Sequence, residues 1–355
     1  RCFMVMAERY GIPSTKLISL MTAWQVPFRN VQKGDRLLIM TDDAMDPMVW
    51  QSAMAARHER GAEVTLTLYP RRTYHCGDPS AMAVSAAKEA DVVVALTTTA
   101  LNSGTPGLRA IRAEGGGSGR TPIWLMEETT VEILTEGGGR VTLEDLAQIC
   151  DLQRRIGEVY DKGKKIHVTS PAGSDLVADI SGMPAGHFAD RWSKLPFERN
   201  AKTGKLSGGT WPFGEIHIEP VPGTANGKVV WDTTSHFPSG LWRDPVTLTI
   251  KNGKVVGIDG NAEADQVRWY LETYGDENSW LVGGEIAVGT NHRCWPPMGL
   301  MRNDKKSFGA MHFGIGHGAD RGQVNSKLRL EGIARRVTFV VDDDKVICEN
   351  GKFKV

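Results

Sequence analysis

The sequence has 355 residues, which is long enough for two domains that each bury a sizeable apolar interior. Lysine plus arginine and aspartate plus glutamate both number 42, so no excess of positive charge favours binding to nucleic acid. The five cysteines are far apart and form no C-x-x-C pair, which argues against a disulfide scaffold and a cysteine zinc site. No run approaches the roughly 18 apolar residues needed to cross a bilayer. We therefore expect a cytoplasmic protein without a membrane partner.

Between residues 36 and 160, short apolar runs alternate with longer amphipathic ones, which is typical of βαβ units around a parallel sheet. The pattern predicts an α/β domain with Rossmann-like layers over residues 1–165. Its glycine clusters follow predicted helices rather than strands, so no nucleotide cofactor is expected. The predicted strands are Arg36–Met40, Glu63–Leu68, Asp91–Leu96 and Thr121–Met126, and the predicted helices are Pro47–Arg60, Ser80–Glu89 and Leu143–Tyr160.

Residues 166–355 have a different sequence pattern, in which β-branched residues alternate with polar ones and are interrupted by proline and glycine. This pattern predicts a mainly β (α+β) second domain that carries the chemistry. Asn252-Gly253 and Asn350-Gly351 predict hairpin turns. The predicted strands are Ile166–Thr169, Leu176–Ile180, Gly214–Ile218, Lys228–Asp232, Val246–Ile250 and Val255–Ile258, with one helix at Asn261–Tyr274.

One predicted strand of the second domain carries an alternating polar pattern. In Gly214–Glu219, the side chains of Glu215, His217 and Glu219 project to one face. Two carboxylates and an imidazole on one face suit a metal or an acid–base cluster. A solvent-exposed strand face explains the same pattern.

The most informative pair of segments is Gly283–His292 and Met311–Gly318. Glu285 lies in an apolar run, where a buried carboxylate is costly unless it is coordinated or hydrogen-bonded. His312 is similarly embedded between apolar residues, although a core histidine with one satisfied nitrogen is an alternative. Glu285 and His312 are therefore the first candidates for an active site.

Further candidates lie in loops or at strand ends. His317 and Asp320 follow the His312 strand in a glycine-rich loop, where a metal ligand and an exposed turn are both reasonable. His217, His236, Trp211 and Asn291 are candidate substrate contacts. Aromatic side chains such as Trp211 would suit a flat, ring-bearing substrate, although core packing is the commoner role of a tryptophan.

The order of these segments resembles the aminopeptidase T-type metallopeptidases and their ring-cleaving relatives, the iron-dependent 2,5-dihydroxypyridine 5,6-dioxygenases. The resemblance implies an α/β first half. In the peptidases, the residues that match Glu215, Glu285 and His312 bind the metals. The segments that carry the resemblance are Ala172–Leu176, Trp211–Glu215, Gly257–Gly260, Gly284–Ile286 and His312–Gly316.

The chain departs from this family pattern near its C-terminus. Both branches carry a His-x-Asp pair that supplies two metal ligands, and here the matching residues are Arg329-Leu330-Glu331. Arginine cannot ligate a cation because it stays protonated and offers only donors. The ring-cleaving enzymes also have a histidine where this chain has Glu285, so their two-histidine, one-carboxylate iron site is not reproduced.

Three functions follow from these residues. The first is a metal-dependent enzyme that opens the ring of a small hydroxylated N-heteroaromatic, with Fe(II) held by Glu285, His312 and His317 and with Arg329 binding an anionic substrate group. The second is a metallohydrolase of a peptide or cyclic amide, with zinc, manganese or cobalt at Glu215, Glu285 and His312.

In the metallohydrolase, Glu331 or Glu219 would be the general base. The third is a cofactor-free hydrolase or lyase in which Glu285, His312 and Glu331 do acid–base work beside Arg329. In each case a small-molecule substrate and a homo-oligomer are expected.

Overall fold

A parallel sheet and two antiparallel sheets form the framework of the computed structural model, which describes residues 14–58, 60–101, 105–114, 121–186, 195–318 and 323–355. Three short 3₁₀ helices occur at Gly138–Arg140, Glu277–Trp280 and His292–Cys294. The helices are α1 (Ser14–Gln25), α2 (Pro47–His58), α3 (Ala81–Lys88), α4 (Pro106–Glu114), α5 (Val131–Thr135), α6 (Leu143–Tyr160), α7 (Ala262–Tyr274) and α8 (Met301–Asp304). The first strands are β1 (Arg36–Asp42), β2 (Glu63–Tyr69), β3 (Val92–Leu96), β4 (Ile123–Leu125), β5 (Lys165–Thr169), β6 (Asp175–Asp179), β7 (Gly209–Thr210), β8 (Glu215–Ile218) and β9 (Asn226–Trp231). The remaining strands are β10 (Val246–Lys251), β11 (Lys254–Asp259), β12 (Ile286–Gly289), β13 (Met311–Gly316), β14 (Arg329–Ala334), β15 (Thr338–Val341), β16 (Lys345–Glu349) and β17 (Lys352–Phe353).

The parallel sheet has the strand order β2-β1-β3-β4-β7. Every residue of β3, which reads Val-Val-Val-Ala-Leu, is buried, as expected for a parallel strand covered on both faces. The helices begin where the sequence offers caps: the Ser80 hydroxyl accepts a hydrogen bond from the Ala83 amide, and Thr142 and Asp145 form a capping box at α6. The predicted α/β fold of this part is confirmed.

The chain returns to the parallel sheet after residue 165. β7 pairs with β4, and Phe197, Trp211 and Phe213 pack in the same apolar core as Trp24 and Trp124. The division of the sequence at residue 165 therefore does not separate the residues of the parallel sheet from those of the antiparallel sheets. The cause is that β7 is only two residues long and carries no periodicity that a sequence pattern can register.

Two antiparallel sheets make up the second part. The larger has the order β11-β10-β9-β6-β5-β15-β16-β17 and the smaller β14-β13-β12-β8. Asn252 (φ 49°) and Gly253 (φ 70°) turn the chain between β10 and β11, and Asn350 and Gly351 do so between β16 and β17. Both predicted hairpins and the mainly β character of this part are confirmed. No helix in the described ranges is long and apolar enough to span a membrane.

The four-stranded sheet has one apolar and one polar face. Ile216, Ile286, Val288, Phe313 and Leu330 lie on the apolar face and pack in the largest core of the molecule. The alternate residues of the same strands point the other way. The polar side chains of this second face form the site described next.

Candidate active site

The register of the four-stranded sheet brings the polar side chains together. His217 is opposite Ala287, which is opposite His312. Glu331 is opposite Gly314, and Gly314 donates its backbone N–H to the Glu285 carbonyl. The small residues at positions 287 and 314 leave this face open for the longer side chains. Glu215, Glu285, His312 and Glu331 are all at most 3% exposed. His217 and Glu219 are also buried, so the alternative of a solvent-exposed strand face at Gly214–Glu219 is not observed.

Two carboxylates converge on one imidazole nitrogen. His312 Nε2 lies 3.0 Å from Glu285 Oε2 and 3.6 Å from Glu215 Oε2. His312 Nδ1 donates to the Lys305 carbonyl at 3.3 Å, and Nε2 donates to Glu285 Oε2 at 3.0 Å, because carbonyl and carboxylate oxygens only accept. Ligand atoms of these three residues lie within 4.8 Å of one another. The predicted convergence of Glu285 and His312 is therefore observed, and Glu215 joins them.

The other oxygens of the two carboxylates are paired with buried cations. Glu215 Oε1 contacts the Nζ of Lys306, and Glu285 Oε1 lies 2.9 Å from Nη2 of Arg329. Burial lowers the pKa of Lys306 to about 8 although Glu215 opposes this shift. Burial would raise the pKa of Glu285, but Arg329, His217 and His312 hold it well below its usual range. Both glutamates are thus ionised, and their Oε2 atoms face His312.

These three residues fit a divalent metal ion. Glu215 Oε2 is buried and has no hydrogen-bond partner among the described residues, although Lys306 pairs with the other oxygen of this carboxylate. A metal ion that displaced the Nε2 proton of His312 would meet the nitrogen lone pair at the same point. Carboxylate oxygens and imidazole nitrogen suit Fe, Mn, Co and Zn. The donor chemistry is therefore that of a metal centre.

Glu331 is held by three cationic groups. Its Oε1 accepts from Arg329 Nε at 2.7 Å, and its Oε2 lies 3.3 Å from Lys305 Nζ and 3.1 Å from His236 Nε2. Burial would raise the pKa of Glu331, but Arg329, Lys305 and His236 hold it well below its usual range. Both oxygens of Glu331 are therefore occupied by donors, and its predicted role as general base would require one of these contacts to break.

Arg329 is similarly committed to the protein. Its guanidinium contacts both Glu285 and Glu331, and its side chain is 11% exposed. These contacts use Nε and Nη2, so the expected pairing of Arg329 with an anionic substrate would have to use the other donors of the guanidinium. The structure shows Arg329 paired with two carboxylates, and its contact with a substrate stays a prediction.

His236 links the polar face of the four-stranded sheet to the parallel sheet. Its Nδ1 lies 2.9 Å from a carboxylate oxygen of Glu128, which follows β4, and its Nε2 contacts Glu331. Since both partners only accept, His236 donates from both nitrogens. Burial would lower the pKa of His236, but the charges and hydrogen bonds of Glu128 and Glu331 raise it. Glu128 has a φ of 59°, a conformation that residues other than glycine rarely adopt and that often marks functional sites.

His75 completes a second group of potential ligands with Glu128 and His236. The Ala100 amide donates to His75 Nδ1 at 3.0 Å, and the rings of His75 and His236 lie 4.7 Å apart. Burial and the nearby His236 lower the pKa of His75 to about 4, so this ring is neutral. Because the proton of a neutral ring then lies on Nε2, His75 presents no free lone pair. We interpret this group as a hydrogen-bonded link rather than a metal site.

His317 does not join the metal-capable group. Its Nδ1 contacts the backbone of Ser326, and no ligand atom of His317 falls within the Glu215–Glu285–His312 set. The physical reason is strand geometry: side chains alternate, so a residue five positions after His312 points away from the face that His312 uses. The structure does not bring the expected Glu285, His312 and His317 set together, whereas the ligand atoms of Glu215, Glu285 and His312, the set expected for a metallohydrolase, do converge. Asp320 lies outside the described residues.

Two predicted substrate contacts have structural roles instead. Trp211 is fully buried in the core beside the parallel sheet, where its ring lies 6.1 Å from that of Phe197. Asn291 donates to the Phe213 carbonyl at 2.7 Å and accepts from the Arg293 amide at 2.8 Å. His217, in contrast, does border the metal-capable group, with Nε2 3.9 Å from Glu285 Oε1.

Sequence reasoning missed the buried cations and the residues from the parallel half. Lys305 and Lys306 belong to a polar run after α8 that is typical of a surface turn, yet both are at most 8% exposed. Glu128 and His75 are distant in sequence from every other site residue. A signal was available for Glu128, because it follows β4 and ligands bind outside the carboxyl ends of strands in open α/β sheets.

The fold and this buried site define an enzyme with an α/β part followed by antiparallel sheets. A family model for 2,5-dihydroxypyridine 5,6-dioxygenase matches residues 19–354. The chain is 25% identical over 304 residues to the 2,5-dihydroxypyridine 5,6-dioxygenase of Pseudomonas putida KT2440, covering 80% of this chain and 79% of that relative. Because the family model spans nearly the whole sequence, the chain belongs to the 2,5-dihydroxypyridine 5,6-dioxygenase family.

Solved structures agree with this assignment at the level of the fold. The 2,5-dihydroxypyridine dioxygenase from P. putida KT2440 superposes with a TM-score of 0.73 at 21% identity, covering 94% of this chain and 96% of that one. AmpT from Thermus thermophilus superposes with a TM-score of 0.66 at 14% identity, covering 97% and 100%. The family implies a metal cofactor, and Glu215, Glu285 and His312 are described residues that can hold one.

Proposed function

We propose that this protein is a metal-dependent dioxygenase that opens the ring of a small hydroxylated N-heteroaromatic compound. The observation that carries the proposal is the convergence of Glu215 Oε2, Glu285 Oε2 and His312 Nε2 in a chain of this family. Glu215, Glu285 and His312 would hold the ion, with Fe(II) favoured over zinc, manganese and cobalt. A bound Fe(II) supplies the redox chemistry by which dioxygen reacts with an electron-rich ring.

The residues around the three ligands hold them in position. Lys306 and Arg329 fix one oxygen of Glu215 and of Glu285, so that the other oxygen of each carboxylate faces His312. The Lys305 carbonyl orients the His312 ring through Nδ1. Lys306, with a pKa of about 8, is the site's best candidate to release or accept a proton near neutral pH. His217 borders the ligands and is the candidate to contact the substrate.

The charges of the site bear on the kind of substrate. Glu215, Glu285 and Glu331 contact Lys306, Arg329 and Lys305, so these three carboxylates and three cations balance. A divalent ion would leave an excess of positive charge in a buried space, which favours an anionic ligand beside it. A deprotonated hydroxypyridine has this property. A cytoplasmic location and a homo-oligomeric state belong to the same proposal.

A metallohydrolase remains the second candidate because its expected ligands are Glu215, Glu285 and His312. Metal analysis separates the candidates. Protein purified without added metal is dialysed anaerobically against Fe(II), Mn(II), Co(II) or Zn(II), alongside Glu215→Gln and His312→Ala. Stoichiometric Fe(II) that is lost in both variants supports the proposal, whereas retention of only zinc, manganese or cobalt supports the hydrolase. If wild-type protein binds no ion, both fail and the cofactor-free reaction remains.

The exposed pair Arg154 and Asp151 provides the control. Their nitrogen and oxygen lie 2.9 Å apart on α6, and an Asp151→Asn variant removes a carboxylate without touching the site. Its metal content should equal that of wild-type protein. A general loss of metal in this variant would mean that the assay reports damage to the protein rather than the loss of a ligand.

A further inference from the structure

Arg329 occupies the space between two buried carboxylates from different strands. Its Nη2 lies 2.9 Å from Glu285 Oε1, and its Nε lies 2.7 Å from Glu331 Oε1. The two carboxylates are separated along the sheet by Gly314, which has no side chain to fill the gap. The side chains of Glu285 and Glu331 are 4% and 2% exposed. Water therefore contributes little to the neutralisation of these two charges.

A cation between these carboxylates is a physical requirement. Two carboxylates that share a buried space repel each other, and one would take up a proton unless a positive charge lies between them. Here the charge comes from a guanidinium, which stays protonated and matches carboxylate geometry. Lys305 and His236 offset part of the charge of Glu331 through its far oxygen, but Arg329 is the described cation that contacts both Glu285 and Glu331.

We infer that the Arg329 guanidinium fills a second cation site, formed by Glu285 Oε1 and Glu331 Oε1, and thereby limits the active site to one metal ion. The first site uses the opposite oxygen of Glu285, so Glu285 lies between the two cation positions. With Arg329 in place, no second ion can approach both oxygens. An internal cation also stays when the metal is lost, so the carboxylates keep their arrangement in metal-free protein.

Replacement of Arg329 by histidine should convert the second position into a metal site. An imidazole between two carboxylate oxygens reproduces the donor types of the neighbouring Glu215, Glu285 and His312 set. The Arg329→His protein should therefore bind one more Mn(II) or Zn(II) ion per chain than wild-type protein under the same dialysis. Arg329→Lys keeps a positive charge at this position, and its metal content should equal that of wild-type protein.

Arg302 offers a matched control. It is also a buried arginine, with Nη2 2.6 Å from Glu127 Oε1, but it pairs there with the carboxylate of a single residue. Arg302→His removes a buried guanidinium and adds an imidazole without placing it between two carboxylates. It should gain no ion. A gain in both histidine variants would overturn the inference, because it would show that any buried imidazole near a glutamate recruits metal.

Two further results keep the inference separate from protein damage and from the proposed function. If Arg329→His does not fold alone, it is refolded from urea with and without Mn(II), and recovery only with Mn(II) supports the inference. Equal recovery, or a folded variant with no additional ion, overturns it. The test compares the number of metal ions bound per chain by the variant and by wild-type protein, so it is valid whether wild-type protein binds one ion or none. The proposed function depends only on the number bound by wild-type protein.

Discussion

The link from Glu128 to His236 should contribute measurably to stability. The perturbation is Glu128→Gln, which keeps the size of the side chain and removes its charge. Glu128 is the carboxylate on the parallel side of the bridge, with a carboxylate oxygen 2.9 Å from His236 Nδ1. Burial would raise its pKa, but His236, His75 and Arg302 lower it to about 2 from the ordinary value of 4.5.

The size of the effect follows from this pKa. A group whose folded pKa is depressed stabilises the protein above its unfolded pKa, and that contribution is lost as the pH falls through the folded value. At about 1.4 kcal/mol per pKa unit, the shift of Glu128 corresponds to about 3 kcal/mol at pH 7. One unit below the unfolded pKa, near pH 3.5, the contribution should be smaller by about 1.4 kcal/mol.

The assay is urea denaturation of wild-type protein and Glu128→Gln at pH 7, 5 and 4. We expect the variant to be less stable by about 3 kcal/mol at pH 7, by nearly as much at pH 5, and by a smaller difference at pH 4. Asp151→Asn, which removes an exposed carboxylate, should change stability by less than about 1 kcal/mol. A Glu128→Gln protein as stable as wild type at pH 7, or a difference independent of pH, would refute the reasoning.

Three further predictions concern the same network and its packing. His236→Gln keeps a donor near the position of Nε2, and His236→Asn keeps one near Nδ1. Thermal denaturation should show both variants to be more stable than His236→Ala, which loses two charge-assisted hydrogen bonds at about 1.5–3 kcal/mol each. Equal melting temperatures of the three variants would contradict this. Gly186→Ala places a Cβ 2.0 Å from His217 Nε2 and should lower kcat/KM by displacing that ring; unchanged kinetics would exclude His217 from the reaction. Gly332→Ala places a Cβ 2.1 Å from the Trp231 ring and should cost about 1–3 kcal/mol in urea denaturation, while kcat of the folded enzyme stays near wild type.

Residues whose role depends on strand alternation could be predicted from the sequence. Glu215 and His217 were expected to share a face, and Glu285 was expected to be buried beside His312, because both follow from period-two geometry and from the cost of an unpaired carboxylate. His317 shows the limit of nearness in sequence. It lies five residues after His312, and because side chains alternate along a strand, this odd number places it on the opposite face of the sheet.

The missed residues are those whose burial depends on contacts far apart in the chain. Lys305 and Lys306 are buried because Glu331 and Glu215, from two other strands, offset their desolvation. Glu128 belongs to the site because the parallel sheet lies beside the four-stranded sheet. No local sequence pattern predicts this arrangement of the two sheets. Arg329 was expected to meet a substrate, since the sequence does not show that Glu285 and Glu331 would flank it.

Oxygen consumption tests the central claim most directly. Wild-type protein loaded anaerobically with Fe(II) is mixed with 2,5-dihydroxypyridine in an oxygen electrode, and the ring absorbance is followed in parallel. We predict Fe(II)-dependent uptake of one dioxygen per ring opened, and its loss in Glu215→Gln. Uptake that persists in Glu215→Gln and His312→Ala, or no uptake by Fe(II)-loaded wild-type protein with any dihydroxypyridine, would contradict the account.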